Sequence, residues 1–193
     1  YRVSINEKPV TDAVLMPGWT AYQKRLQYQR YDVTGLLQEN NEIRIAVGKG
    51  WYRSPMPGWI SDDKRKEKQK IPAGLLAQLT IQYDDGTQKT VSTGSDWSVF
   101  SGMIRFSEIY DGETADATAP QNELGYAKEF DGPTNTLIEQ QGEMIREHEH
   151  VSPVKIFQTP AGETVVDFGQ EVTGYVSLSL EAQSGDVVEL SHG

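Results

Sequence analysis

The feature that most constrains the fold of this 193-residue chain is the alternation of apolar and polar residues along short segments. In residues 77–83 the odd positions are apolar and the even positions polar, and residues 42–47 alternate in a similar way. Successive side chains of a β-strand point to opposite faces, so a period of two indicates strands with one buried face. No segment keeps the 3.6-residue period of a helix. We therefore predict an all-β chain.

Short strands separated by Gly, Pro and Asp turns are predicted along the chain. Residues 75–93 should form a hairpin, because Asp84, Asp85 and Gly86 supply a turn between two alternating runs. One helical turn is predicted near residues 32–37, with Asp32 or Thr34 as its cap. Such a series favours antiparallel sandwiches over βαβ units. Further strands are predicted at residues 26–33, 97–100, 154–159, 164–168, 174–180 and 186–192.

The composition changes near residues 115–136, where Ala, Pro, Asn and Gly replace the alternating pattern. We interpret this segment as a linker and predict two domains, residues 1–135 and residues 136–193. The second domain is too short to close a core of its own. Both ends of the chain have strand-like patterns, so we expect a piece excised from a longer protein.

Charge and composition exclude several classes of partner. The net charge of -10 and the pI near 4.8 disfavour binding to nucleic acid or to an anionic membrane. The basic run at residues 64–70 contains no aromatic residue on which a base could stack, and is predicted to be a solvated loop. The chain has no cysteine, which excludes disulfides and thiolate metal sites. No run of about 18 apolar residues marks a membrane-spanning helix.

A pair of carboxylates, Asp111 and Glu113, is the first candidate for chemistry. Glycoside hydrolysis uses two carboxyl groups about 5 to 10 Å apart. Residues two apart on an extended segment share a face, but Gly112 between them indicates a turn. This pattern favours a role for Asp111 and Glu113 as loop braces or as acceptors from sugar hydroxyls, rather than as catalysts.

A histidine pair, His148 and His150, is the candidate for a metal site. Both residues could share one strand face and hold zinc with a third ligand from elsewhere. Since His192 is the only other histidine, an exposed strand is the favoured interpretation. No nucleophile elbow, phosphate-binding glycine loop or EF-hand calcium loop is present.

An aromatic segment near residue 50 is the stronger candidate for binding. Trp51, Tyr52, Arg53 and Trp59 combine flat rings, which stack on sugar C–H surfaces, with a guanidinium that can bind hydroxyls. The alternative is that Trp51 and Tyr52 fill the core beneath a loop. Trp19, which follows Pro17 and Gly18, is open to the same two interpretations.

Six ordered blocks of the chain form a recognisable pattern: residues 5–8, 13–20, 27–34, 50–53, 75–79 and 104–114. In this order they resemble the N-terminal β domain of bacterial α-L-rhamnosidases. A later part, residues 166–170, 174–176 and 188–193, is similar to the start of the concanavalin-like β domain that follows in that family. The resemblance covers essentially the whole chain.

This resemblance implies a jelly-roll sandwich of the galactose-binding type, followed by part of a second, concanavalin-like sandwich. In the family, both precede an (α/α)6 barrel that hydrolyses terminal α-L-rhamnosides with inversion, using a pair of glutamic acids and no organic cofactor. The chain would then be a non-catalytic accessory region with no catalytic residue of its own. Its partners would be the barrel and neighbouring β domains, in a periplasmic or secreted enzyme.

The resemblance also raises recognition of a rhamnosylated glycan, since some relatives bind rhamnose together with a calcium ion. Two residues depart from the family pattern: Glu7 replaces the glycine of an Asn-Gly turn, and Lys49 replaces an Asn or Asp. A lysine supplies no oxygen ligand and adds positive charge, which disfavours calcium. A purely structural interdomain module, whose aromatic loops dock onto neighbouring domains, is therefore the alternative to sugar binding.

Overall fold

The computed structural model describes residues 1–54, 61, 63, 66, 67, 70–132, 134–183 and 186–191. Its architecture is almost entirely β, as the alternation predicts. The named helical elements are short: α1 is Gly50–Arg53, and Thr34–Leu36 and Thr134–Thr136 are 3₁₀ turns. The strands are β1 Arg2–Ile5, β2 Lys8–Pro9, β3 Leu26–Tyr28, β4 Ile43–Ala46, β5 Gln78–Gln82, β6 Gln88–Ser92, β7 Ser98–Ser101, β8 Ile104–Glu108, β9 Gly112–Ala115, β10 Asn122–Tyr126, β11 Leu137–Glu139, β12 Lys155–Gln158 and β13 Thr164–Asp167.

The first sheet has the strand order β2-β1-β4, and both of its pairings are antiparallel. Ile5 on β1 is buried and lies opposite Ile43 on β4. The turn between β1 and β2 uses Asn6 and Glu7, whose φ angles are 51° and 66°. The Asn6 side chain donates to the Leu36 carbonyl at 2.9 Å and accepts from the backbone N–H of Glu42 at 2.9 Å. Asn6 therefore ties this turn to the segment that leads into β4.

The predicted hairpin at residues 75–93 is confirmed by the pairing of β5 with β6. Its turn closes where Tyr83 and Thr87 bond through their backbones at 2.9 Å. Asp85 stabilises the turn, because its carboxylate accepts from the backbone N–H of Thr87 at 2.8 Å and from its hydroxyl at 2.6 Å. Gly86 has a φ of 84°, a conformation that glycine adopts without strain.

The chain divides into two compact units. The two units are Tyr1–Glu147 and His148–Gly193. β11 belongs to the first unit because it pairs in parallel with β3. The predicted linker contains β10, which pairs with β7 through a register shift between Glu123 and Gly125. This bulge interrupts the period of two, so the alternation could not reveal the strand.

The second unit contains the antiparallel pair β12–β13, which confirms the strands predicted near residues 154–159 and 164–168. The strands predicted at 174–180 and 186–192 are wrong for the described residues 174–180 and 186–191, which form no strand. A strand needs a partner for its backbone groups, and Val187, which is 89% exposed, packs against almost nothing. The jelly-roll topology stays a prediction, since the described strands form one three-stranded sheet and two-stranded ribbons.

Candidate functional site

The candidate site is built around α1, the single helical turn that contains Trp51, Tyr52 and Arg53. Gly50 begins the turn with a φ of 51°, which is a strained conformation for any residue with a side chain. Ser54 ends it: its backbone N–H donates to the Gly50 carbonyl at 3.2 Å, and the residue is fully buried. The sequence predicted a loop here, because a turn of four residues is too short to show a helical period.

Five rings meet around α1, and we call this group the aromatic corner: Trp19, Tyr22, Trp51, Tyr52 and Tyr110. The Trp51 ring stacks on Trp19, with centroids 5.7 Å apart and planes 13° apart. It also meets Tyr110 edge-on, at 6.3 Å and 77°. Tyr52 meets Tyr22 edge-on at 5.3 Å and 83°. Since such pairs add about 0.5–1.5 kcal/mol each beyond burial, they attach two loops to α1.

The rings of the aromatic corner differ in exposure. Trp51 and Tyr52 are half-buried, whereas Trp19 is 56% and Tyr110 48% exposed. Tyr22 donates its hydroxyl to the Gly18 carbonyl at 3.0 Å, and burial raises its pKa to about 12. Trp19 and Tyr110 thus offer the accessible ring surface, while Trp51 supports both of them.

Lys49 connects the start of α1 to β8. Its Nζ atom lies 4.2 Å from the centroid of the Phe106 ring, within range of a cation–π interaction. Its backbone N–H donates to the Ser107 carbonyl at 3.4 Å. Phe106 and Glu108 are two residues apart on β8, so their side chains point to the same face of the strand.

Glu108 is the buried acidic group of the site, with only 5% of its surface exposed. One carboxylate oxygen, Oε2, accepts from the backbone N–H groups of Tyr110 at 2.8 Å and Asp111 at 2.7 Å. Burial acts to raise the pKa of Glu108. Hydrogen bonds from the Ser54 hydroxyl and from the N–H groups of Asp111 and Tyr110, together with the charge of Lys49, outweigh burial and hold this pKa below its ordinary value.

The residues predicted from the sequence fall into three groups. Trp51 and Tyr52 belong to the aromatic corner, and half-buried Arg53 follows them at the end of α1. Asp111 is exposed beside Tyr110, and Glu113 is exposed on β9 opposite Ser107. Trp59 lies outside the described residues.

Sequence reasoning missed the group that braces the loop after β8. Glu108, rather than Asp111 or Glu113, accepts the backbone hydrogen bonds of that loop. A signal was present, because Glu108 lies two residues after Phe106 on one strand and so shares its face. A carboxylate that continues an apolar register is a sign of a buried polar group with partners.

The histidine pair His148 and His150 is exposed, and among the described residues no group of three or more His, Cys, Asp or Glu is placed to hold a metal ion. His192 lies outside the described residues. The Lys49 ammonium adds positive charge near Glu108, which disfavours a calcium ion at that carboxylate. Among the described residues, no helix is long and apolar enough to cross a membrane.

Two family models match the chain. The α-L-rhamnosidase N-terminal domain matches residues 1–149, and the bacterial α-L-rhamnosidase concanavalin-like domain matches residues 157–193.

The chain is also similar to individual proteins that are named α-L-rhamnosidases. An α-L-rhamnosidase of Alteromonas sp. (strain LOR) is 33% identical over 98% of this chain and 22% of its own length. One of Streptomyces avermitilis is 33% identical over the whole chain and 19% of its own length. This chain therefore spans about a fifth of the relatives it matches.

Two solved structures resemble the fold. The crystal structure of a native α-L-rhamnosidase from Aspergillus terreus matches with a TM-score of 0.75 and 34% identity, over 88% of this chain and 20% of that one. An α-L-rhamnosidase from Streptomyces avermitilis, complexed with L-rhamnose, matches with a TM-score of 0.71 and 28% identity, over 88% and 17%. The chain belongs to the α-L-rhamnosidase N-terminal domain family and continues into the concanavalin-like domain of those enzymes.

Proposed function

We propose that this chain is a non-catalytic accessory region of an α-L-rhamnosidase, which supports the catalytic barrel and the neighbouring β domains of the same parent chain. The observation that carries this proposal is the match of nearly the whole chain to about a fifth of each relative. Under this proposal the parent enzyme hydrolyses terminal α-L-rhamnosides with residues that lie outside residues 1–193.

An assay with 4-nitrophenyl α-L-rhamnopyranoside tests the non-catalytic role. We expect no release of nitrophenol by this chain above the buffer rate, while an intact α-L-rhamnosidase of Streptomyces avermitilis serves as the active control. Release that disappears in Asp111→Asn or Glu113→Gln variants would contradict the proposal, because these two carboxylates are the candidate acid–base pair.

The finer part of the proposal is that the aromatic corner binds the rhamnosyl end of a glycan. Exposed ring surface at Trp19 and Tyr110 suits the C–H faces of a sugar. Arg53 at the end of α1 and Asp111 next to Tyr110 offer a charged donor and a charged acceptor for hydroxyl groups. Aromatic rings with a few charged neighbours are the composition expected of a small-molecule site.

The second candidate is a purely structural module that docks onto neighbouring domains and binds no sugar. One observation favours it: both half-buried rings of α1 already contact other rings of this chain. In that case Trp19 and Tyr110 would form an apolar patch that another domain covers.

Tryptophan fluorescence separates the two candidates. The chain is titrated once with L-rhamnose and once with a separately expressed catalytic barrel. A Trp19→Phe variant assigns the signal among Trp19, Trp51, Trp59 and Trp97. A change with rhamnose that Trp19→Phe reduces supports the sugar site, whereas a change with the barrel alone supports the docking module.

A further inference from the structure

The loop that carries Tyr110 and Asp111 is held by a single buried carboxylate. Glu108 Oε2 accepts two consecutive backbone N–H groups, from Tyr110 at 2.8 Å and from Asp111 at 2.7 Å. Hydrogen bonds to an ionised acceptor are about twice as strong as neutral ones. This pair therefore sets where the Tyr110 ring stands relative to Trp51, which it meets at 6.3 Å.

The start of α1 lies against β8 through Lys49. Lys49 faces the side of β8 that carries Phe106 and Glu108, and its ammonium lies 4.2 Å from the Phe106 ring centroid. Its positive charge favours the ionised form of Glu108.

We propose that Glu108 is the positioning residue that fixes the Tyr110 loop against α1, so that the Tyr110 ring is held against Trp51 only while Glu108 is charged. This inference rests on the proposed sugar site for its functional consequence, which is loss of rhamnose binding in acid. The positioning role of Glu108 rests on hydrogen bonds within the chain and does not depend on sugar binding.

The acid response of the Tyr110 loop is assigned to Glu108, because both loop hydrogen bonds end on its carboxylate. The charged or titratable side chains on the elements around it are Lys49 and Arg53 at α1, Glu113 on β9, Arg105 on β8, and Tyr110 and Asp111 on the loop. Asp111 offers its backbone N–H, which does not titrate. Protonation of Glu108 is thus the step that weakens both loop hydrogen bonds.

The test compares the unmodified chain with a Glu108→Gln variant, and uses Glu39→Gln, an exposed glutamate in the same unit, as the matched control. Near-ultraviolet circular dichroism reports the packing of the rings, and rhamnose affinity by NMR reports the site. For Glu108→Gln we expect a weakened ring signal at neutral pH, no acid transition, and at least a tenfold loss of rhamnose affinity. The unmodified chain and Glu39→Gln should both show the acid transition. An unchanged ring signal with the same transition in Glu108→Gln would overturn the proposal.

A second variant keeps the test decisive if Glu108→Gln does not fold. Lys49→Met retains a long apolar side chain but removes a positive charge that favours ionised Glu108, so the acid transition should move to higher pH. A midpoint that does not move would overturn the assignment of the transition to Glu108. The ring signal also separates the two proposals. If the chain binds no rhamnose but shows the expected acid transition, the sugar site fails while the positioning role of Glu108 stands.

Discussion

The Trp51 ring stacks almost parallel on the Trp19 ring, with centroids 5.7 Å apart and planes 13° apart. This pair joins the loop that follows Pro17 to the helical turn α1, two segments far apart in the sequence. Trp51 also meets the Tyr110 ring edge-on, so one half-buried ring contacts two exposed rings. Trp51, a sugar-binding candidate from the sequence, thus contacts the two exposed rings, and its own role in binding stays a prediction.

Glu7→Gly should stabilise the protein by about 1 kcal/mol, because Glu7 has a φ of 66°, a conformation that costs a residue with a side chain roughly this much. Chemical denaturation followed by fluorescence measures the change. Asn6→Ala is the matched comparison and should destabilise, since the Asn6 side chain bonds to Leu36 and Asn41. A less stable Glu7→Gly variant would contradict this account of the turn.

Gly50→Ala should cost about 1 kcal/mol of unfolding free energy, because Gly50 begins α1 with a φ of 51°. The same variant should weaken the near-ultraviolet signal of the rings, which depend on the course of α1. Gly35→Ala is the control: its added Cβ meets no atom within 4 Å, and its φ is not positive. Equal effects of the two substitutions would argue against a special role for Gly50.

Stability should fall in acid. The folded-state pKa of Glu108 lies below its ordinary value of 4.5. A carboxylate with a lowered pKa contributes stability above the unfolded-state pKa and loses that contribution as pH falls through the folded-state value. Thermal unfolding between pH 7 and pH 3 should therefore show a decline below about pH 4.5 that is smaller in Glu108→Gln. Parallel curves for both proteins would show that other carboxylates dominate the acid response.

Calcium should leave rhamnose binding unchanged, because Lys49 supplies a positive charge where a metal ion would need oxygen ligands. Titrations with excess calcium and with a chelator should give the same affinity within error. A loss of affinity in the chelator that calcium restores would refute this expectation.

Local patterns predicted the elements whose partners are close in sequence. The hairpin β5–β6 was predictable because its two alternating runs and its turn, with Asp85 and Gly86, lie within one short segment. β11 was not predicted as part of the first unit, because its partner β3 lies more than a hundred residues earlier. A pairing between strands so far apart in the sequence cannot be recognised from the local pattern of either strand.

The candidate site, too, was predictable only where the local sequence carries the signal. Ring composition drew attention to Trp51 and Tyr52, but which ring would be exposed depended on contacts with Trp19 and Tyr110 from other parts of the chain. Glu108 carried a signal in its strand register. Its two backbone partners became known only from the course of the loop.

The most direct test of the account is an isothermal titration of this chain with L-rhamnose, carried out in parallel with Trp19→Ala and with Tyr126→Ala, which removes an exposed ring on β10. We predict saturable heat with a dissociation constant in the millimolar range for the unmodified chain and for Tyr126→Ala, and at least a tenfold weaker response for Trp19→Ala. No saturable heat in the unmodified chain, or equal binding by Trp19→Ala, would contradict recognition of rhamnose by the aromatic corner.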